Sequence, residues 1–240
     1  GSEIGAIKFL EDLAIPIKNK DKVRKLIDLS KEEMQRLIEA IVVQRSSSVN
    51  NPQDVIGPVY LLAKEPDGVP TRDIREFSTL LNACGRLGRP SLGMGVCLGD
   101  KESKQEAFRL LEDYKIEILN CLNWFYDARK QNKIIEKEEF VLINAEEYIK
   151  DTLVGVLASI LSRSNVFSQG KIIITMAHTV YDSTKISCRV SGVKKKEVNL
   201  KEILNVICLG LSGQVGGHES AAGAIIPQEK DEEFILRVQE

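Results

Sequence analysis

The chain has 240 residues, of which 43% are hydrophobic and 28% are charged, proportions that are ordinary for a globular protein. This length is enough for one large domain or two smaller ones, each with a proper hydrophobic core. The 33 basic and 35 acidic residues give a net charge of −2. This balance excludes a polybasic protein, so any contact with nucleic acid has to come from a local patch.

The cysteines and the apolar runs indicate the compartment. The five cysteines are odd in number and show no Cys-x-x-Cys spacing, which favours reduced thiols in a cytoplasmic protein. No apolar run reaches the length of a membrane span, and no signal peptide is visible, so we expect no membrane partner. Gly1-Ser2 is typical of an expression remnant, and we expect the chain to be part of a longer protein.

The first 70 residues are predicted to be mainly helical. Ser30 and Glu33 have the spacing of a capping box, which predicts a helix over about Lys31–Arg45. A polar break over residues 46–52 predicts a loop, and the apolar run Val59–Ala63 predicts a short strand.

The middle of the chain is predicted to hold two helices joined by a loop. The helices are expected over Asp73–Leu87 and over Lys101–Lys133, the second as one long helix or as two in line. Residues 85–95 are expected to form a glycine-rich loop, with Pro90 ending the first helix. Arg86 and Arg89 in this loop are candidates for phosphate contact, because guanidinium groups suit phosphate oxygens. A pair of solvated surface charges is the alternative.

From about residue 136 onward, strands alternate with helices. Strands are expected over Phe140–Asn144, Lys171–His178, Lys185–Ser191 and Gly223–Pro227, and helices over Leu153–Leu161, Lys201–Leu211 and Asp231–Val238. This alternation indicates a layered α/β domain. His178, at a strand end without a nearby ligand partner, is expected to be structural.

The stretch Leu211–Gly223 is the strongest candidate site. The adjacent glycines Gly216 and Gly217 can adopt positive φ, which lets their N–H groups converge on an anion such as phosphate. His218 follows directly and can add a ring N–H donor. A glycine-rich turn with a partly buried histidine is the alternative, and the residues alone leave both open. Arg189 lies in an apolar strand, where a charge is costly unless it faces a ligand or a carboxylate. The lysine run 194–196 is read as a solvated loop, or as an aid in holding a phosphate backbone.

Four segments then resemble, in order, the motifs of RecJ-like nucleases of the DHH family. They are Leu81–Arg86, Val154–Ser159, Ser187–Ser191 and Gly216–Gly223. The last fits the Gly-Gly-His-x-x-Ala-Ala-Gly signature of the DHH-associated C-terminal domain. Cys84 and Cys188 replace an alanine and a glycine of the family, and the histidine that usually precedes the second motif is missing. The resemblance covers about residues 75–227 and is closest to the archaeal GINS-associated nucleases.

The resemblance implies an α/β (α+β) fold in three parts: a mainly helical remnant of the N-terminal half over 1–70, a connector with a long helix over 71–135, and a mixed-sheet DHH-associated domain over 136–240. In this family a DHH domain holds two divalent metals, Mn²⁺ or Mg²⁺, and hydrolyses single-stranded nucleic acid from one end in DNA replication and repair. The C-terminal domain grips substrate phosphate. The residues implied for this role are Gly216, Gly217, His218, Arg189, Arg86 and Asn82, to which Arg89 is added for its charge.

The chain departs from the family in its metal ligands. It contains no Asp-His-His and no Asp-x-Asp motif and has only two histidines, so we assign no catalytic residue, metal site or cofactor to this fragment. One interpretation is the nucleic-acid-binding C-terminal part of a single-strand-specific exonuclease, with Mn²⁺ or Mg²⁺ held in the parent enzyme. The alternative is a non-catalytic replisome scaffold that binds the GINS complex and the replicative helicase, similar to the eukaryotic RecJ-like helicase subunit. A dinucleotide phosphoesterase is a third interpretation.

Overall fold

The structure, a computed structural model, describes residues 3–19, 22–46, 52–192 and 198–240. Two compact units are present, residues 1–62 and 63–240. Most of the predicted loop over 46–52 and the lysine run 194–196 lie outside the described residues. The three-part division at residues 70 and 135 stays a prediction.

The first unit contains two helices and a small hairpin. Its elements are α1 (Glu3–Asp12), β1 (Lys18–Asn19), β2 (Lys22–Val23) and α2 (Lys31–Arg45), with β1 and β2 antiparallel. The predicted capping box is confirmed, because Ser30 Oγ accepts from the Glu33 N–H at 3.2 Å and Glu33 Oε2 accepts from the Ser30 N–H at 2.8 Å. The predicted strand over Val59–Ala63 is wrong. The run contains only an isolated bridge residue, and Val59 and Tyr60 are exposed, so its apolar side chains bury too little to support a strand.

The second unit, over the residues that the structure covers, combines six helices with a six-stranded sheet. The helices are α3 (Ile74–Arg86), α4 (Pro90–Cys97), α5 (Lys101–Lys130), α6 (Asp151–Arg163), α7 (Leu200–Ile207) and α8 (Asp231–Gln239). The strands are β3 (Ile135–Glu136), β4 (Phe140–Asn144), β5 (Ile172–His178), β6 (Ser183–Val190), β7 (Gln214–His218) and β8 (Ala221–Pro227). The predicted long helix is thus one continuous element, α5.

The sheet is mixed, which confirms the predicted α/β class. Its order is β3-β4-β5-β6-β8-β7, with β4 and β5 parallel and the other pairs antiparallel. One face packs against α6 and the helices behind it, through residues such as Leu157 and Phe125. The other face packs against α7 and α8, through Leu204 and Phe234. This arrangement leaves β7 as an edge strand.

The glycine-rich loop expected over residues 85–95 is wrong beyond Arg89. Pro90 begins α4 instead of ending a helix, since the first helical position needs no N–H donor. Gly93 permits close packing on α3, where an added Cβ would lie 3.4 Å from Cys84 Cβ. A Cβ on Gly95 would lie 2.6 Å from Ser103 Cβ on α5. Tertiary packing therefore overrides the low helix propensity of glycine here.

The turn expected over Leu211–Gly223 is also wrong in part. Helix α7 ends at Ile207, and Gly216, Gly217 and His218 belong to strand β7 rather than to a loop. The register of the β7–β8 hairpin pairs Gly217 with Ala222. Gly217 has a φ of 120°, and an added Cβ would lie 2.4 Å from the Ala221 carbonyl oxygen. The glycine is therefore needed for a close approach between two strands.

Candidate nucleic-acid phosphate site

Strand β6 turns three polar side chains toward α6. Arg189 Nε donates to Ser159 Oγ on α6 at 3.2 Å. Lys185 Nζ lies 3.9 Å from Asp151 Oδ2 at the start of the same helix. Ser187 lies between them. Its Oγ would be 3.3 Å from a Cβ added to Gly155, the glycine of α6 that faces it. These contacts establish which face of the sheet the three side chains occupy.

A continuous row of residues leads from Arg189 to the edge of the sheet. Arg189 pairs with Ala221 on β8, and Ala221 pairs with His218 on β7. Directly paired residues of antiparallel strands project to the same face. His218 therefore lies on the same face as Arg189, two strands away, and it is exposed.

Beyond α6 this face of the sheet is open, and we call the open surface the shelf. Its residues on β7 and β8 are Gln214, Gly216, His218, Ala221, Gly223 and Ile225. Gly216 pairs with Gly223, so the centre of the shelf consists of backbone alone. A Cβ on Gly216 would meet no atom within 4 Å. A ligand can therefore approach the main chain closely beside the Arg189 row.

Arg189 lies within electrostatic range of two other arginines along α6, Arg86 and Arg163, and we call the three the arginine cluster. Arg189 Nη1 donates to Ser187 Oγ at 3.2 Å and to the Cys188 carbonyl at 2.7 Å, which fixes its orientation. Burial lowers the pKa of Arg189, and the nearby charges of Arg163 and Arg86 lower it further. Within the described ranges none of the three forms an ion pair. Arg163 is exposed, whereas Arg86 and Arg189 are partly buried. Partly buried cations that lack a carboxylate partner favour an anionic ligand.

The remaining predicted site residues, Arg86, Asn82 and Arg89, have different surroundings in the structure. Arg86 is tied to α6, since its Nη1 donates to the Thr152 carbonyl at 2.8 Å and Thr152 Oγ1 donates to the Arg86 carbonyl at 2.7 Å. Asn82 lies one turn earlier on α3 and is exposed. Arg89 instead forms an ion pair with Glu106. Arg86 is thus near enough to Arg189 for its charge to lower the pKa of Arg189, whereas Arg89 has a carboxylate partner.

Arg163 is the member of the cluster that the sequence reasoning missed. It lies in the last turn of α6, four residues after Ser159, and is therefore on the same side of that helix. The sequence signal for Arg163 was its position four residues after Ser159, whose hydroxyl oxygen accepts a hydrogen bond from Arg189. The spacing gains meaning only once β6 is known to face α6.

The described residues offer no place for the metal cluster that the resemblance implies. No group of three or more His, Cys, Asp or Glu among them is arranged to hold a metal ion. His178 uses both ring nitrogens on carboxylates, with Glu147 Oε1 at 2.8 Å and Asp231 Oδ2 at 2.9 Å. These residues therefore do not fit a two-metal centre, and we assign no hydrolytic step to them. None of the described helices is both long and apolar enough to cross a membrane.

Comparison with known proteins agrees with this architecture. Residues 140–240 match the family model of the DHHA1 domain. Over all 240 residues the chain is 28% identical to an uncharacterized protein of Methanocaldococcus jannaschii, of which it covers 48%. The chain thus spans about half the length of this curated relative.

Two solved structures share the fold. Exonuclease RecJ bound to manganese matches with a TM-score of 0.52 and 14% identity over 87% of this chain and 48% of its own. RecJ from Thermus thermophilus in complex with Mg²⁺ matches with a TM-score of 0.50 and 17% identity over 68% of this chain and 24% of its own. Residues 140–240 thus match the DHHA1 domain, and the chain shares its fold with part of the two RecJ structures.

Proposed function

We propose that the shelf and the arginine cluster bind the phosphate backbone of single-stranded nucleic acid, as the substrate-binding part of a RecJ-like exonuclease that acts in DNA replication and repair. The observation that carries the proposal is the row Arg189–Ala221–His218, which sets a guanidinium and an imidazole on one open face.

The geometry of the row suits a phosphate group. Neighbouring strands lie about 4.8 Å apart, so the backbones of Arg189 and His218 are separated by about 10 Å across Ala221. Both side chains point to the same face and are long enough to converge on an anion between them. The small Ala221 and the bare backbone at Gly216 leave room for the phosphate itself.

The chemistry of the surface favours backbone contact over base reading. Arginine and histidine side chains donate to phosphate oxygens, and such contacts fix the position of a nucleic-acid strand without reading its sequence. Because the net charge of the chain is −2, the attraction has to be local, and the arginine cluster supplies it.

Hydrolysis is proposed for the parent protein and not for this chain. A Mn²⁺ or Mg²⁺ pair in a DHH domain would supply the activated water and neutralise charge on the phosphate. Residues of the present chain would bind and orient the strand.

Binding of a labelled single-stranded oligonucleotide, measured by fluorescence anisotropy at several salt concentrations, tests the proposal. We expect binding that weakens steeply with salt and a loss of about tenfold or more for His218→Ala and for Arg189→Gln, since each removes a hydrogen bond to a charged group. Arg109→Gln is the matched control, because Arg109 is an exposed arginine of α5. Equal affinity for all four proteins would overturn the proposal.

The scaffold role predicts a different result in the same series. A protein that only docks on the GINS complex and the replicative helicase should co-elute with GINS whether or not His218 is present, and should show no affinity for single strands. A chain that binds single strands through His218 and also co-elutes with GINS would combine the two roles.

A further inference from the structure

The shelf extends beyond the Arg189 row to a second row with different chemistry. Lys185 on β6 pairs with Ile225 on β8, and Ile225 pairs with Gln214 on β7. Lys185 precedes Arg189 by four residues, so both project to the same face of the sheet. The two rows therefore form opposite ends of one surface.

Ile225 is unusual among the residues of its strand. It is 46% exposed, while its neighbours Ala224 and Ile226 are 5% and 1% exposed on the opposite face. An exposed branched apolar side chain in a paired strand, beside the exposed Gln214, provides a contact surface for the flat face of a sugar or base.

The surface of β8 and β7 between the two rows carries no side chain. The intermediate row on β8 and β7 is Gly223 and Gly216, so no side chain stands between the ends of the shelf on these two strands, while Ser187 of the same row on β6 is buried against α6. A Cβ on Gly223 would come within 2.8 Å of the Ile186 carbonyl oxygen, which excludes a side chain there. An extended ligand can lie along this track without displacing any residue.

The two cationic ends are too far apart to bind one phosphate. Along β6 the four residues that separate Lys185 from Arg189 span about 14 Å. Their side chains stay apart, because Lys185 lies near Asp151 and Arg189 is held by Ser159. These two partners are eight residues apart on α6, or about 12 Å.

Lys185 remains available to a ligand. Its Nζ lies 3.9 Å from Asp151 Oδ2, which is beyond hydrogen-bonding distance, and both side chains are more than a third exposed. An exposed ion pair of this kind contributes little stability, so an approaching phosphate can compete with the carboxylate.

We propose that the shelf is a track for at least two phosphates, an inference that rests on the function proposed above. Arg189 and His218 bind a phosphate at one end, and Lys185 binds a phosphate at the other end. Ile225 contacts the nucleoside between the two phosphates. The substrate class is then an oligonucleotide, and a mononucleotide occupies only one end.

A length series of oligothymidylates, from the mononucleotide to the hexamer, tests this inference by competition against a labelled single strand. For the unaltered chain we expect affinity to rise sharply once the ligand spans both ends. In Lys185→Ala the affinity for the longer oligomers should fall about tenfold and the salt slope should decrease by about 1, while mononucleotide affinity stays unchanged.

Two further variants separate loss of the cation from loss of its ion pair. Asp151→Asn removes the ion pair and keeps Lys185, and it should bind the longer oligomers at least as tightly as the unaltered chain. Lys115→Ala, at an exposed lysine of α5, is the matched control and should change nothing.

Different binding results would overturn the two-phosphate track and the proposed binding of single strands. Unchanged affinity of Lys185→Ala for every length, with binding lost in Arg189→Gln, would overturn the two-phosphate track and leave the proposed function intact. No binding of any length by the unaltered chain would overturn both.

Discussion

His178 at the end of β5 and Asp231 at the start of α8 are joined by a 2.9 Å contact between the histidine Nε2 and the carboxylate. The other ring nitrogen lies 2.8 Å from Glu147 Oε1; Gln228 Nε2, at 3.0 Å, is itself a donor and can bond to that nitrogen only when the nitrogen carries no proton. With a carboxylate at each nitrogen, the doubly protonated ring can donate to both. The contact therefore ties the terminal helix to the end of the sheet and depends on the charge of His178.

The free energy of unfolding should consequently fall as pH rises above about 6.5, the ordinary pKa of histidine. Burial lowers the pKa of His178, but the hydrogen bonds to Glu147 and Asp231 outweigh it, so the net shift is upward. A folded-state pKa above the unfolded value of about 6.5 means that the contribution is complete below that pH and is lost as pH rises through the folded pKa. Urea unfolding at a series of pH values should show this loss.

His178→Gln is the variant that tests this assignment. It should lower the free energy of unfolding by about 2 kcal/mol at a pH just below about 6.5 and flatten the decline that follows as pH rises. The pKa of Glu147 is lowered by the same hydrogen bond, so its own contribution is lost only as pH falls. An alkaline decline of the same size in the variant would show that another group is responsible.

Gly95 is predicted to be required by packing between α4 and α5. Gly95→Ala would place a Cβ 2.2 Å from Ser103 Oγ and 2.6 Å from Ser103 Cβ. The two helices would therefore have to shift, which should lower the free energy of unfolding by about 1–3 kcal/mol. Gly85→Ala is the matched control, because that helical glycine has no atom within 4 Å of an added Cβ. The control should be stabilising by about 0.5–1 kcal/mol. Thermal unfolding of the two variants and of Gly95→Ala/Ser103→Gly, which should recover stability, checks this.

These residues show where sequence reasoning succeeds and where it stops. The Ser30–Glu33 capping box is a local pattern, so the start of α2 was predictable from four residues. Pro90 was ambiguous, because proline both ends a helix and occupies a first turn. The deciding fact, that Gly95 faces Ser103 on another helix, is not local.

The candidate site was also predictable only in part from the sequence. The glycines and His218 were recognisable as a motif, but the same residues serve a turn or an edge strand, and only pairing with β8 distinguishes the two. The surroundings of the arginines were not predictable from the sequence. Arg89 pairs with Glu106, seventeen residues away, and the packing of α6 on β6 brings Arg163 within electrostatic range of Arg189.

Gly217 and Gly216 should respond differently to the same substitution. Gly217→Ala forces an L side chain into a φ of 120° and places a Cβ 2.4 Å from the Ala221 carbonyl oxygen, so we expect a loss of about 1–3 kcal/mol. Gly216→Ala meets no atom within 4 Å and should leave the free energy of unfolding nearly unchanged. Its methyl group would nevertheless stand on the shelf and weaken binding of single strands.

Measurement of both properties decides whether the shelf binds through its surface or only through a correct fold. Anisotropy titrations and denaturant unfolding of the two alanine variants should show Gly216→Ala as stable but weaker in binding. If Gly216→Ala bound as tightly as the unaltered chain, the bare backbone at the centre of the shelf would not be a contact surface.

Removal of divalent metal should leave single-strand binding by this chain unchanged. The donors that we assign to phosphate are guanidinium, imidazole and lysine ammonium groups, none of which needs a metal to hold an anion. No group of three or more His, Cys, Asp or Glu among the described residues is arranged to hold a metal ion. Titrations with EDTA and with added Mn²⁺, at matched ionic strength, should therefore give the same affinity within error. A requirement for Mn²⁺ would mean that phosphate reaches the shelf through a bridging cation, and Arg189→Gln would then weaken binding less than removal of the metal does.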